Sequence, residues 1–411
     1  MPNLPGLAAR RAALTMLDAV LRRGETLEAA ASHGAKLDAA DQRLALAIAG
    51  ETLRRLPALD AMIDSRTRQR LPDDAKARMV LRLALAQRLA LDVPDHALVA
   101  TALPLVDGGP RRLVHGVLGA LLRGTLDATT SLPGEVEARW GAAWGEDAVA
   151  SARRLILERP PLDLSFCDQA AADAFPLGRS LAPLHRRLDS AAVAGLPGYD
   201  AGEWWVQDLA SSLPARLIPA PATRVLDLCA APGGKTMQLA AAGHRVTALD
   251  RSESRLARLR ENLGRTGLEA EIVVADALEW AAPEPFDAIL LDAPCSATGT
   301  FRRHPEVLYR ARPAIIAELA DLQRRLLDRA ATLLRPGASL VYAVCSLEPA
   351  EGEDQVRAFL ARHADFRLEP ADPAVPGLAV GPKGWLRIVP GRLEPEGGLD
   401  GFFAAHLVRS S

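Results

Sequence analysis

Cys295 and Cys345 each follow a short apolar run, in Asp292-Ala293-Pro294-Cys295 and Ala343-Val344-Cys345-Ser346. A thiol just past the carboxyl end of a strand lies where open α/β sheets bind ligands and can serve as a nucleophile, whereas a thiol inside a core is a small apolar filler. A third feature is DLCAAPGGKT, from Asp227 to Thr236, whose Gly233 and Gly234 let backbone amides approach a ligand at the start of a helix. Asp250, Asp276 and Asp292 close later apolar runs. Asp250 lies 23 positions after Asp227, about where a doubly wound fold places the carboxylate that holds a ribose. These residues together imply a nucleotide-like cofactor beside one or two reactive thiols.

Each feature also has a plainer explanation. A glycine-rich turn alone often only closes a strand-to-helix connection, and a single aspartate at a strand end is usually a helix cap. Gly233-Gly234-Lys235-Thr236 with Leu290-Leu291-Asp292 also imitates a phosphate-binding loop and its magnesium aspartate, but that loop needs glycine where this chain has Cys229. Lysine occurs at only four positions, 36, 76, 235 and 383, so Lys235 inside the glycine-rich turn is not background. Cys167 is expected to be a buried filler, and Cys229 to pack against the cofactor rather than react. There is no Cys-x-x-Cys pair and no histidine at ligand spacing, so neither a metal site nor a disulfide framework is expected.

The elements that must position these residues follow from hydrophobic periodicity. Up to about Arg123 the apolar residues recur at helical spacing, as in Ala13, Leu14, Leu17, Val20 and Leu21, with breaks at Asp92-Val93-Pro94 and Gly108-Gly109-Pro110. Gly124 to Gly134 reads as a linker. A small mixed segment follows, with the alternation Leu162, Leu164, Phe166 of a half-buried strand. From Trp204 onward short apolar runs alternate with helical stretches, which predicts a doubly wound parallel sheet. The expected fold is therefore multidomain: an all-α domain over 1–130, a linker and small α+β subdomain over 131–202, and an α/β Rossmann-like domain over 203–411.

Bulk properties narrow the function classes. The 411 residues are 49% apolar and 24% charged, with no apolar run long enough to span a bilayer, and a cytoplasmic monomer with no membrane partner is expected. The net charge of -2 carries no global signature of nucleic-acid binding, so contact with RNA must come from local arginines such as Arg302-Arg303-His304. Aromatic residues make up 4%, which argues against base stacking on an aromatic sheet.

Two thiols facing one cleft suit covalent catalysis. Carbon 5 of cytosine is a poor nucleophile until a thiolate adds to carbon 6, after which it can attack a methyl group carried on a sulfonium. Either thiol could attack, the other could assist release, and Asp292 is placed to bond the cytosine edge, stabilising charge on the ring if it holds a proton.

Nearly the whole chain resembles the RsmB (Sun, or Fmu) family of ribosomal RNA cytosine-5 methyltransferases. DLCAAPGGKT is similar to the family's cofactor loop, DAPCSATGTFRRHPEV (292–307) and YAVCSLEPAEGEDQV (342–356) to its two cysteine motifs, and DGFFAAHLVR (400–409) to its closing strand. DVPDHALV and RRLVHGVLGALLR, between Val80 and Arg123, resemble a NusB-like helical RNA-binding domain. The resemblance implies S-adenosyl-L-methionine as cofactor, contacted by Cys229, Ala230, Ala231, Pro232, Gly233, Gly234, Lys235, Asp250, Asp276 and Asp292. Asp250 would hold the ribose and Asp276 the adenine amine. It also implies Cys345 as the nucleophile, Cys295 as the group assisting release, and a cytosine in small-subunit ribosomal RNA as substrate. Val344 and Ala297 depart from the family pattern, which has Thr or Ser before the nucleophile and glycine in the turn after the Pro-Cys motif. An RNA-binding assembly factor with an inactive methyltransferase fold, or methylation of DNA or transfer RNA, are the alternatives.

Overall fold

The computed structural model describes residues 4–126, 130–189, 192, 193, 195–220 and 224–411. Of the linker expected over Gly124 to Gly134, residues 127–129 lie outside the described residues. The chain divides into two compact units that interleave in sequence: one holds 1–142, 149–158 and 301–310, the other 143–148, 159–300 and 311–411. Their limits differ from the expected cuts at 130 and 202.

The first unit is all helical. Its long helices, Leu7–Arg23, Ala39–Asp64, Lys76–Ala90 and Gly108–Leu122, bury the apolar stripes read from the sequence, with Leu17, Ile48, Leu53, Val80, Leu83 and Leu118 in one core. Asp38 starts the second of these by accepting the free amides of Ala40 and Asp41. The segment 301–310 is embedded in this unit: the Phe301 ring lies 5.4 Å from that of Trp140, and Tyr309 Oη donates to the Leu53 carbonyl at 2.7 Å. Arg302 is consequently buried, at 1% exposure. It was expected in a run facing RNA phosphates; the apolar neighbours on both sides of it in sequence space, Phe301 and Val307, draw it inward instead.

The second unit contains two sheets. In the smaller, β1 (Leu162–Phe166) lies between β2 (His185–Leu188) and β3 (Trp204–Val206), antiparallel to both. β1 was expected to be half-buried, yet Asp163 and Ser165 are buried as well. The reason is ionic: Arg187 grips both oxygens of Asp163 at 2.7 Å, and the Leu209 amide donates to it at 3.0 Å. Burial alone would raise the Asp163 carboxyl, but Arg187 and His185 hold it well below the usual range.

The larger sheet comprises β4 (Arg224–Leu228), β5 (Arg245–Asp250), β6 (Glu271–Val274), β7 (Phe286–Asp292), β8 (Leu334–Val344), β9 (Phe366–Glu369), β10 (Leu386–Ile388) and β11 (Phe402–Arg409). The order is β10-β11-β8-β7-β4-β5-β6, with β9 also paired to β11. Strands β4 to β8 are mutually parallel, as the strand and helix alternation predicts. β11 runs antiparallel beside β8, and β9 and β10 antiparallel to β11, so the sheet is mixed rather than wholly parallel. The chain reverses strand order between β4 and β7, and at such a switch point the loops leave in opposite directions and open a crevice.

Candidate functional site

The loop leaving β4 is held by its backbone. The amides of Cys229 and Ala230 donate to the Leu249 carbonyl at 2.8 and 3.0 Å, and the Ala231 amide donates to Asp250 Oδ2 at 3.2 Å. Gly233 sits at φ 106°, and a Cβ there would lie 2.2 Å from Leu259 Cδ1, so only glycine lets the loop close onto the helix Glu253–Thr266. Lys235 follows in the first turn of the helix Gly234–Ala241. Beneath it Asp227 is wholly buried and accepts a single bond, from Thr236 Oγ1 at 2.5 Å; its Oδ1 has no hydrogen-bond partner among the described residues. Burial pushes the Asp227 carboxyl up to about 7, against the lowering effect of the Thr236 bond.

A cavity of about 380 Å³ opens at this end of the sheet. Of the expected residues, Ala230, Pro232, Gly233, Gly234, Lys235 and Asp292 line it. Cys229, Ala231, Asp250 and Asp276 do not. Asp250 ends β5 beside the loop, and also accepts the Ser252 amide at 2.9 Å, while Asp276 follows β6, exposed, and accepts the Leu278 amide at 2.8 Å. The cavity is also lined by Trp205, Gln207 and Asp208, which the sequence reading missed. Their signal was present: Trp204-Trp205-Val206-Gln207-Asp208 is another apolar run ending in polar groups. Gln207 is fixed by accepting from Trp205 Nε1 at 2.8 Å and donating to Gln238 Oε1 at 2.7 Å.

Across the switch point Lys235 Nζ donates to Asp292 Oδ2 at 2.7 Å. Burial pulls the Lys235 ammonium down, but the contact with Asp292, together with the nearby Asp227, leaves it above its ordinary value. Asp292, expected as a possible proton holder, is thus already the acceptor of an ammonium. Cys295 and Cys345 are not among the residues that line the cavity but meet just beyond β7 and β8: Cys295 Sγ lies 3.5 Å from Cys345 Sγ. The bond with Cys345 and burial push the Cys295 thiol well up. Cys167 faces the Gly202 carbonyl at 3.3 Å, away from this pair, and burial raises its thiol. Among the described residues no group of three or more His, Cys, Asp or Glu could hold a metal, and no helix is long and apolar enough to cross a membrane.

A central parallel sheet read β6-β5-β4-β7-β8, extended by an antiparallel strand at the β8 side, is a Rossmann-like methyltransferase fold. A family model described as 16S rRNA methyltransferase RsmB/F matches residues 214–408, and a NusB family model matches 7–123. Over 98% of its length the chain is 39% identical to 98% of the ribosomal RNA small subunit methyltransferase B of Xylella fastidiosa (strain Temecula1). It is 37% identical to the protein of that name from Xanthomonas campestris pv. campestris, covering 99% of this chain and 98% of the relative. Among solved structures, a methyltransferase homolog protein from Pyrococcus horikoshii superposes with a TM-score of 0.56 at 28% identity, covering 67% of this chain and 94% of that one. The chain belongs to the RsmB/F family of methyltransferases, with an N-terminal NusB domain.

Proposed function

We propose that this protein methylates carbon 5 of a cytosine in small-subunit ribosomal RNA, using S-adenosylmethionine, through a covalent adduct between Cys345 and carbon 6. The observation that carries the reading is the meeting of Cys295 and Cys345, 3.5 Å apart, at the ends of neighbouring strands β7 and β8. RNA as substrate is supported by the names of the relatives and by the NusB match.

S-adenosylmethionine, when bound, supplies a methyl group on a sulfonium. The residues fit that group: Asp227, with an oxygen unbonded within the described chain, lies in the cavity wall, and the adjoining strand ends carry Asp250 and Asp276. The loop from Cys229 to Lys235 would hold its amino-acid end, Asp250 its ribose and Asp276 its adenine amine.

Cytosine shows an amine donor and a ring-nitrogen acceptor on its pairing edge. Asp292 and Lys235 form the complementary pair, Asp292 Oδ1 accepting from the amine while the ammonium faces the ring nitrogen, where charge builds as a thiolate adds. Either sulfur of the pair can give the proton that lies between them; the resemblance of the two cysteine motifs to the family assigns the attack to Cys345 and leaves Cys295 to assist release. Addition of Cys345 to carbon 6 makes carbon 5 nucleophilic enough to take the methyl group. The carbon 5 proton passes to solvent water, the electrons of that C–H bond re-form the ring double bond as the carbon 6–sulfur bond breaks, and the Cys295 thiol is placed to protonate the departing Cys345 thiolate and then to regain a proton from solvent.

Replacing each cysteine tests this assignment. With S-adenosylmethionine and small-subunit ribosomal RNA transcribed in vitro, Cys345→Ala should give neither 5-methylcytosine nor a protein–RNA adduct. Cys295→Ala should accumulate the adduct, seen as a retarded band on a denaturing gel. An adduct trapped by Cys345→Ala and lost in Cys295→Ala would reverse the roles.

A further inference from the structure

The sheet does not by itself set the distance between the two sulfurs. β7 and β8 stay in register to the pair Asp292 and Ala343, but Cys295 lies three residues beyond the first and Cys345 two beyond the second. The ladder's last bond is from the Ala293 amide to the Ala343 carbonyl at 2.9 Å, and the strands' loops must then be matched by other means.

We propose that Glu351 is a positioning residue that ties the loops carrying Cys295 and Cys345 to one another and so fixes the spacing of the reacting thiols. The inference rests on the reading of those thiols given above.

Glu351 lies in the short turn Pro349–Glu351 after β8 and is wholly excluded from solvent. Three of its four donors belong to the residues that directly follow each cysteine. Oε1 accepts the Ser296 amide at 2.8 Å and Gln323 Nε2 at 3.1 Å; Oε2 accepts the hydroxyls of both Ser296 and Ser346. The two hydroxyls also lie 3.2 Å from each other, so the carboxylate and the serine pair form one closed bridge. The bridge is anchored from behind: Tyr342 Oη donates to the Glu351 carbonyl at 2.5 Å, and Gln323 Nε2 also reaches the Pro294 carbonyl at 2.9 Å. A buried carboxylate pays for desolvation only if its oxygens are bonded, and here the bonds are spent on the neighbours of the cysteines. No hydrogen bond joins Glu351 to either sulfur among the described residues, so its positioning effect passes through Ser296 and Ser346, while its charge also helps to raise the Cys295 thiol.

The test reads sulfur geometry and chemistry separately. Diamide oxidises two adjacent thiols to a disulfide, taking up their two protons and two electrons, and the rate of Cys295–Cys345 closure in the full-length protein is followed by peptide mass mapping. Glu351→Ala should slow both this closure and adduct formation with small-subunit ribosomal RNA by at least ~10-fold, because small misplacements of reacting groups are costly, while the KM values for RNA and cofactor stay put. Glu351→Gln should recover most of the loss: its amide oxygen can accept from Ser296 while its NH2 donates to both serine oxygens. Ser346→Ala cuts one arm of the bridge in a protein with no buried charge removed, and should give an intermediate loss of both rates. Wild-type rates of both processes in Glu351→Ala or, should that variant not fold, in Ser346→Ala would overturn the proposal, as would equal impairment by Gln and Ala. Closure is measured without substrate, so absence of any adduct in the wild-type protein would count against the catalytic reading and leave the bridge to be judged by closure alone.

Discussion

Asp227 and Glu351 are both wholly buried in the same unit, and the protein supports them differently. Glu351 receives four donors from three residues. Asp227 receives one, from Thr236, and its other oxygen has no partner among the described residues. The first arrangement stabilises a fixed geometry between two distant loops. The second leaves a group that is costly to ionise in the lining of the cavity.

The sharpest way to test this contrast is through pH. The Asp227 carboxyl is raised to about 7, so the folded protein binds its proton more tightly than the unfolded chain does. The stability that this proton confers is fully present below the unfolded value near 4 and is lost as pH climbs to about 7. The difference between these two values corresponds to roughly 4 kcal/mol. Asp227→Asn does not titrate, and should gain on the wild type by up to that amount as urea unfolding is compared from pH 4 to pH 8. A constant difference across the range would show that Asp227 ionises normally and that its other oxygen finds a donor in solution.

A second prediction concerns how the two regions are held. The β4 loop relies on backbone conformation, and Gly233→Ala would set a Cβ at φ 106° against Leu259. It should cost about 3 kcal/mol in stability and weaken S-adenosylmethionine binding in calorimetry, without changing diamide closure of the cysteines. Loss of closure as well would mean that the two regions are one cooperative structure.

This difference also explains what was legible in the sequence. The requirement of the β4 loop for glycine leaves a compact signature; Asp292 and the two cysteines stand out because they end or closely follow strands, and Lys235 because lysine is scarce in this chain. The bridge joins Ser296 to Glu351 across 55 positions, and no local pattern records it. The burial of Arg302 and of Asp163 escaped for the same reason, since a charge looks solvated until the partners and packing supplied by remote residues are known. The parallel core followed from alternation of strand and helix, but the antiparallel β9, β10 and β11 did not, because a short apolar run carries no mark of its direction.

The smallest expected effect lies inside the cysteine region itself. Ala297, where the resembled family has glycine, adopts φ 56°, a conformation that costs an L-residue roughly 1–2 kcal/mol. Glycine removes that cost, but its freer unfolded chain returns about 0.4–1 kcal/mol of it. Ala297→Gly should therefore stabilise the protein by about 1 kcal/mol or less, a rise of a few degrees at most in Tm. The turn is pinned on one side by Ser296, which Glu351 holds through both amide and hydroxyl, and on the other by the Gly299 amide donating to the Cys345 carbonyl at 3.0 Å. Relaxing the residue between these anchors should leave the sulfurs where they are, with diamide closure at the wild-type rate. If closure instead slows, the backbone of this turn, rather than the carboxylate beneath it, sets the spacing of the two thiols, and the division between a backbone-held loop and a side-chain-held pair fails.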